Sequence, residues 1–184
     1  MSAISFPARL DPLKWAEQES SWSGHVPLSR FRRLWAEAAQ PEESDQVQVS
    51  CRFFLDERHL IRLVASVQVS LPLMCQRCLQ PVRDLLALDL DLIILQDGRQ
   101  MDRVEEDADV VVLDEEQLAH GHTGDQQLGL LDLLEDELLL ALPMSPRHSD
   151  CQVRQHQAGP VIAPEPRANP FEVLAQLKQN TKPS

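Results

Sequence analysis

The chain has 184 residues, of which 43% are hydrophobic, 4% are aromatic and none is Tyr, so it is long enough for one domain whose core is built from Leu, Val, Ile and Ala. Its formal net charge of −12 speaks against a chain-wide phosphate-binding surface, which needs clustered Lys and Arg, and its apolar runs fall far short of the roughly 20 residues that span a bilayer. The amino terminus shows no charged segment followed by a hydrophobic stretch, so a soluble, cytoplasmic protein with four reduced cysteines is expected.

In chain order, residues 12–20 (PLKWAEQES) and 29–40 (SRFRRLWAEAAQ) have helical spacing, with Ser29 placed to cap the second helix and Pro41 to stop it. Phe31, Leu34, Trp35 and Ala38 form its apolar stripe. Three segments with period-two alternation follow. Val47, Val49, Cys51, Phe53 and Leu55 share one face of the first, and Ile61, Leu63, Ala65, Val67, Val69 and Leu71 one face of the second. Leu86, Leu88, Leu90, Leu92 and Ile94 share one face of the third. Three consecutive amphipathic strands predict an antiparallel meander. Its first connection, 56–59, is a hairpin, and its second, 72–81, carries Cys75 and Cys78 at a hairpin tip.

Residues 97–127 are polar and acidic, a partly mobile loop by composition, except for ADVVVL at 108–113, which suits an edge strand. Residues 128–143 (LGLLDLLEDELLLALP) read as a strong amphipathic helix ended by Pro143. The Pro-, His- and Gln-rich stretch beyond it has little periodicity. A terminal helix over NPFEVLAQLKQN has Asn169 as cap and Pro170 in its first turn, and its small apolar face is expected to dock on a partner. The expected organisation is a single α+β domain over 1–151, an antiparallel meander with flanking helices and a CxxC hairpin loop. A linker over 152–168 and a short helix with tail over 169–184 complete it.

The acidity is local. Residues 84–137 hold 17 acidic and 2 basic residues, net −15, so the remaining 12 acidic and 15 basic residues carry +3. An acidic half of this kind repels nucleic acid or binds a basic protein, while Arg30, Arg32, Arg33, Arg77 and Arg83 are the positions predicted to face RNA.

Three readings of the CxxC pair stand side by side. Two thiols separated by two residues make half of a zinc site, because both sulfurs can point at one ion; His148 and Cys151 are the other close pair of soft ligands, so the candidate metal set is Cys75, Cys78, His148 and Cys151, with zinc as the cofactor. A redox pair would sit at a helix start, where the dipole lowers a thiol pKa, whereas Leu79, Gln80 and Pro81 suit a turn. The third reading is a stiffened loop without chemistry. Cys51, alternating with Val49 and Phe53, reads as a core residue. Asp89 and Asp91 on an outward strand face, and the run 135–138, are explained as solvated positions, and no nucleophile–base or phosphate-loop pattern supports catalysis.

CQRCLQPV at 75–82, LLDLLEDELLLALPMSPRH at 130–148 and NPFEVLAQLK at 169–178 together resemble the bacterial YceD family, the large ribosomal RNA subunit accumulation proteins. The resemblance implies a non-catalytic factor that supports synthesis, processing or stability of 23S rRNA, hence large-subunit biogenesis. Its partner would be ribosomal RNA or a ribosomal or assembly protein of that subunit, with no membrane and no small-molecule substrate. A protein-binding adaptor that works through the acidic surface, without direct RNA contact, is the alternative.

Overall fold

The structure, a computed structural model, describes residues 5–113 and 127–151. The linker over 152–168 and the terminal helix expected after it lie outside the described residues, as does the acidic stretch 114–126.

The predicted alternation forms the centre of a five-stranded sheet. Helix α1 (Pro12–Glu17) precedes strand β1 (Ser21–Pro27), a 3-10 turn (Leu28–Arg30) and helix α2 (Arg32–Glu37). Strands β2 (Gln46–Leu55), β3 (Ile61–Met74) and β4 (Pro81–Leu95) follow. A second 3-10 turn (Gly98–Arg103), β5 (Asp109–Val112) and helix α3 (Leu130–Leu140) complete the described order. The strands lie in the order β1-β2-β3-β4-β5. The first four are antiparallel and β5 joins β4 in parallel, so the edge strand expected at 108–113 is present.

The inward faces of β2 and β3 are those read from the alternation. Val47, Val49, Cys51, Phe53, Leu63, Ala65, Val67, Val69 and Leu71 are all buried. Each fully buried Val, Leu or Phe among them contributes about 1.5–3 kcal/mol. Helix α3 covers this face with Leu130, Leu134 and Leu138, four residues apart, and α1 packs Trp15 edge-on against Phe53 at 5.7 Å. The far end of β4 is buried on both sides. Ile93 and Leu95 point away from the main core into a smaller cluster with Leu60, Val104, Val110 and Val112.

Strand β1 was not legible in the alternation, because of its inward residues only Val26 is fully buried and Gly24 interrupts the pattern. A Cβ at Gly24 would stand 2.9 Å from the Trp22 ring, so glycine lets that indole lie along the strand and meet Phe6 edge-on at 5.0 Å. The helix expected over 29–40 is shortened at both ends. Ser29 lies in the 3-10 turn rather than capping, and Phe31 occupies the residue before α2. At the other end the Ala39 amide donates to the Pro72 carbonyl at 2.7 Å, which draws the chain onto β3 before Pro41 is reached.

Phe31 has no side-chain oxygen to accept the first amides of α2, and those amides are satisfied from another helix. The Glu135 carboxylate of α3 accepts from the Arg33 amide at 2.7 Å and the Leu34 amide at 3.2 Å through Oε1, and from Arg33 Nε at 2.9 Å through Oε2. It replaces a local N-cap and carries the negative charge that a helix N-terminus favours. Arg33 also pairs with Asp136 and donates to the Asp132 carbonyl. The run 135–138, read as a solvated polar face, therefore contains a buried clamp: the Glu135 side chain is 7% exposed.

Replacing Glu135 with Ala strands two helix-terminal amides and should lower unfolding stability by about 2–4 kcal/mol. Asp136→Ala, which removes an exposed pair, should cost under about 1 kcal/mol. Urea denaturation of the two variants checks this; equal losses would mean that Glu135 is only a surface partner of Arg33.

Candidate metal centre

Strand β3 ends at Met74 and β4 begins at Pro81, so the connection between them is Cys75 to Gln80. The Cys75 amide donates to the Gln80 carbonyl at 2.9 Å and the Leu79 amide to the Cys75 carbonyl at 3.0 Å. This closes a tight knuckle that needs a left-handed residue, and Leu79 supplies it with φ 58°. Both thiols thereby face the same side of the turn. No other elements are needed to place this half of the site.

The second half arrives from α3. Its last turn ends at Ala141, and the chain beyond it runs back along the knuckle, where the Gln76 amide donates to the Pro146 carbonyl at 2.9 Å. That contact delivers His148 and Cys151. Cys75 Sγ lies 3.6 Å from Cys151 Sγ, and Cys78 Sγ lies 3.4 Å from His148 Nδ1. The donor atoms of all four side chains lie within 4.8 Å of one another, an arrangement compatible with a single metal ion. Cys75 is fully buried, and the other three are half-buried. All four cysteines of the chain are free thiols.

Two features prepare the cluster for a cation. His148 Nε2 lies 3.0 Å from the Pro81 carbonyl. A carbonyl only accepts, so Nε2 carries a proton there and the ring is oriented with Nδ1 toward the sulfurs, the outer contact that orients metal-ligating histidines. The Cys75 thiol is pushed up by burial. Bonds from the Cys78, Arg77 and His148 amides and the His148 ring outweigh this and bring it down to about 5. Cys151 is raised by burial and by the neighbouring Cys75 and Cys78 sulfurs, the mutual penalty expected of thiols crowded without a cation. The CxxC lies at a hairpin tip and not at a helix start, and each of its thiols faces a partner from the 146–151 segment.

Among the other sequence candidates, Cys51 is buried between Val49 and Phe53, and burial pushes its thiol up to about 11. Asp91 pairs with Arg62 at 2.8 Å on the open face of the sheet. Of the arginines predicted to face RNA, Arg33 is held in the Glu135 clamp. Arg83 pairs with Asp45 at 2.9 Å and donates to the Ser70 carbonyl. Asp45 is raised by burial but lowered further by the Glu42 amide and by Arg83, so this pair pins the approach to β2 against the root of β4. Arg30 stacks over the Phe6 ring at 5.6 Å. These three have structural partners. Arg32 and Arg77 are exposed and meet no carboxylate among the described residues. Arg147, beside His148 and absent from the predicted set, is also exposed; among the described residues its guanidinium reaches only the Ser145 hydroxyl, at 3.1 Å.

Comparison with known proteins places this geometry in context. The family described as "Large ribosomal RNA subunit accumulation protein YceD" matches residues 63–178, a span that includes all four clustered side chains. The chain is 32% identical over 184 residues to the protein of that name from Haemophilus influenzae, covering 97% of this chain and 99% of the relative. No solved structure matches.

With no metal added, the Cys75 thiolate should titrate as a distinct step near pH 5 in the ultraviolet thiolate absorbance, and Cys75→Ser should abolish that step. The folded thiol ionises below its ordinary 9.0. Its contribution to stability is therefore complete above that value and is lost as pH falls through about 5. Urea midpoints of wild type and Cys75→Ser should converge on acidification through that window. A single thiolate step near pH 9 would show that the amides do not hold the sulfur.

Proposed function

The chain belongs to the YceD family of large ribosomal RNA subunit accumulation proteins, and from that premise we propose that it is a non-catalytic factor supporting 23S rRNA accumulation and large-subunit biogenesis. The observation that carries the reading is the similarity along almost the entire length of a relative bearing that name. Cys75, Cys78, His148 and Cys151 are its structural zinc ligands. The residues fit the ion: four donors at ordinary zinc bond lengths in a tetrahedron would stand about 3.8 Å apart for two sulfurs and about 3.6 Å for sulfur and nitrogen, beside the 3.6 Å and 3.4 Å of the free side chains. A Cys3His set fills four coordination positions and leaves none for substrate, which supports structural rather than catalytic use. The ion would neutralise the crowded thiolates and staple the β3–β4 tip to the chain after α3.

A second reading, an adaptor that grips a basic protein of the large subunit, draws on one observation. The Glu137 carboxyl is raised by burial and by repulsion from Asp109 and Asp136, so acids from α3 and β5 crowd together where a cationic partner would relieve them.

Protein purified without chelator should contain one equivalent of zinc by elemental analysis. Cys78→Ser and Cys151→Ser should each lose it together with several kcal/mol of stability, since binding energy is folding energy. Near-zero zinc in the folded wild type would remove the ion from the account. In cells lacking the protein, 23S should fall relative to 16S rRNA and 50S particles should be short on a sucrose gradient. A normal ratio and gradient would overturn the biogenesis reading. If the wild-type gene restores both and Asp109→Asn with Glu137→Gln does not, the acidic surface is the working one.

A further inference from the structure

We infer that the metal knuckle is a single-stranded RNA contact, formed by the guanidinium groups of Arg77 and Arg147 around the exposed side chains of Leu79, Met74 and Met144. The inference rests on the functional reading above and assigns it a surface.

Leu79 is the starting point. A leucine at φ 58° sits in backbone territory that costs a non-glycine residue about 1–2 kcal/mol. Its side chain is 56% exposed, so packing returns little of that cost, and glycine would form the same turn without it. Strain of this kind points to a use for the side chain. Two more large apolar residues belong to the knuckle and the segment tied to it: Met74 closes β3 opposite Pro81 and is 41% exposed, and Met144, on the segment tied to Gln76 through Pro146, is fully exposed. Val64, Leu85, Met101 and Leu140 are exposed as well, but among the described residues Leu79 is the one exposed large hydrophobic that takes a positive φ.

Charge selects the partner. The protein is strongly acidic, and Arg33, Arg52, Arg58, Arg62 and Arg83 each pair with a carboxylate. At the knuckle the balance reverses. Residues 71–83 and 144–151 hold Arg77, Arg83 and Arg147 against one acid, Asp150, and Arg77 and Arg147 meet no carboxylate among the described residues. They flank the cluster, one from inside the CxxC turn and one next to His148, and the Gln76–Pro146 bond fixes the two segments against each other. Two exposed guanidinium groups on adjoining segments, with exposed aliphatic and thioether side chains on the same segments, suit phosphates and the apolar faces of unstacked bases. A duplex presents its bases stacked and its charge over a wide front, which the surrounding acids oppose, whereas a single strand can approach the tip end-on. The four metal-set side chains position this surface and do not touch the RNA.

Full-length protein purified with zinc, titrated into a mixed-sequence single-stranded RNA oligonucleotide by fluorescence anisotropy over a range of salt, tests the assignment. Arg77→Gln with Arg147→Gln should weaken binding at least tenfold at low salt. The same pair should reduce the slope of log K against log salt by about 1.4, two single-strand phosphates' worth. Arg9→Gln with Lys14→Gln removes the same charge from α1 and the segment before it. That control should leave the slope unchanged. Leu79→Gly should relax the turn, raise stability and still weaken RNA binding, a combination a purely structural leucine would not produce. Equal losses in the two double variants, or no binding by wild type, would overturn the inference. If the Arg77/Arg147 variant restores the rRNA ratio in deletion cells, or still cosediments with large-subunit precursors as wild type does, the contact is with a protein and the inference fails while the biogenesis reading stands. A normal rRNA ratio in the deletion itself fails that reading, whatever the oligonucleotide does.

Discussion

The seating of α3 against α2 is the constraint on which the remaining structure depends. Leu130, Leu134 and Leu138 bury the helix on the sheet, a non-directional attraction that leaves its axial position loose. Glu135 removes that freedom. Its carboxylate accepts two amides at the start of α2 and the Arg33 side chain, and hydrogen bonds of fixed geometry set the helix to within a fraction of a turn. The last turn of α3 then ends where the chain can reach the β3–β4 knuckle. Cys78 and His148, 70 positions apart, meet at 3.4 Å because a helix between them is fixed at a definite place.

That coupling gives the metal set a structural meaning. The knuckle alone presents two thiols, which cannot surround an ion, and the 146–151 segment alone presents two ligands on a loop with little burial. Each half depends on the other. Preparation is nonetheless extensive before any ion is present: His148 is oriented by the Pro81 carbonyl, and Cys75 is held as a low-pKa thiolate by amides of the turn and of His148. Preorganised ligands bind more tightly because less ordering is left to binding, and the remaining sulfur repulsion, seen in the raised Cys151, is what a cation would relieve. Joining two elements far apart in sequence closes a long loop, where a cross-link constrains the unfolded chain most.

Charge in this protein is arranged locally. Most guanidinium groups fasten one element to another: Arg33 joins α2 to α3, Arg83 joins β4 to the approach to β2, and Arg62 joins β3 to β4 across the open face. Glu137 on α3 feels the charge of Asp109 on β5, while Arg77 and Arg147 at the knuckle, like Arg32 on α2, meet no carboxylate among the described residues. Local charge of this kind decides which partner each surface attracts. It also explains why net charge is a poor guide to what one surface can bind.

The sequence by itself determined the meander, its inward faces, the hairpin carrying the CxxC, the apolar stripe of α3 and the family, because alternation and spacing are local consequences of backbone geometry. It also singled out the four side chains that cluster, through the chemistry of thiol and imidazole. Only the tertiary structure decided that they converge, since proximity across 70 positions is set by packing and leaves no local signature. The same holds for β1, whose alternation is broken by a glycine that makes sense only with the Trp22 ring lying over it, and for the parallel pairing of β5. Glu135 is the sharpest case. In sequence it is one acid among several on a helix, and its role appears only when Phe31, which cannot cap, leaves two amides for another helix to satisfy. Arg33 and Arg83 follow the same logic: a guanidinium has one sequence appearance whether it faces solvent or a carboxylate, and the partner that decides between the two is supplied by the fold.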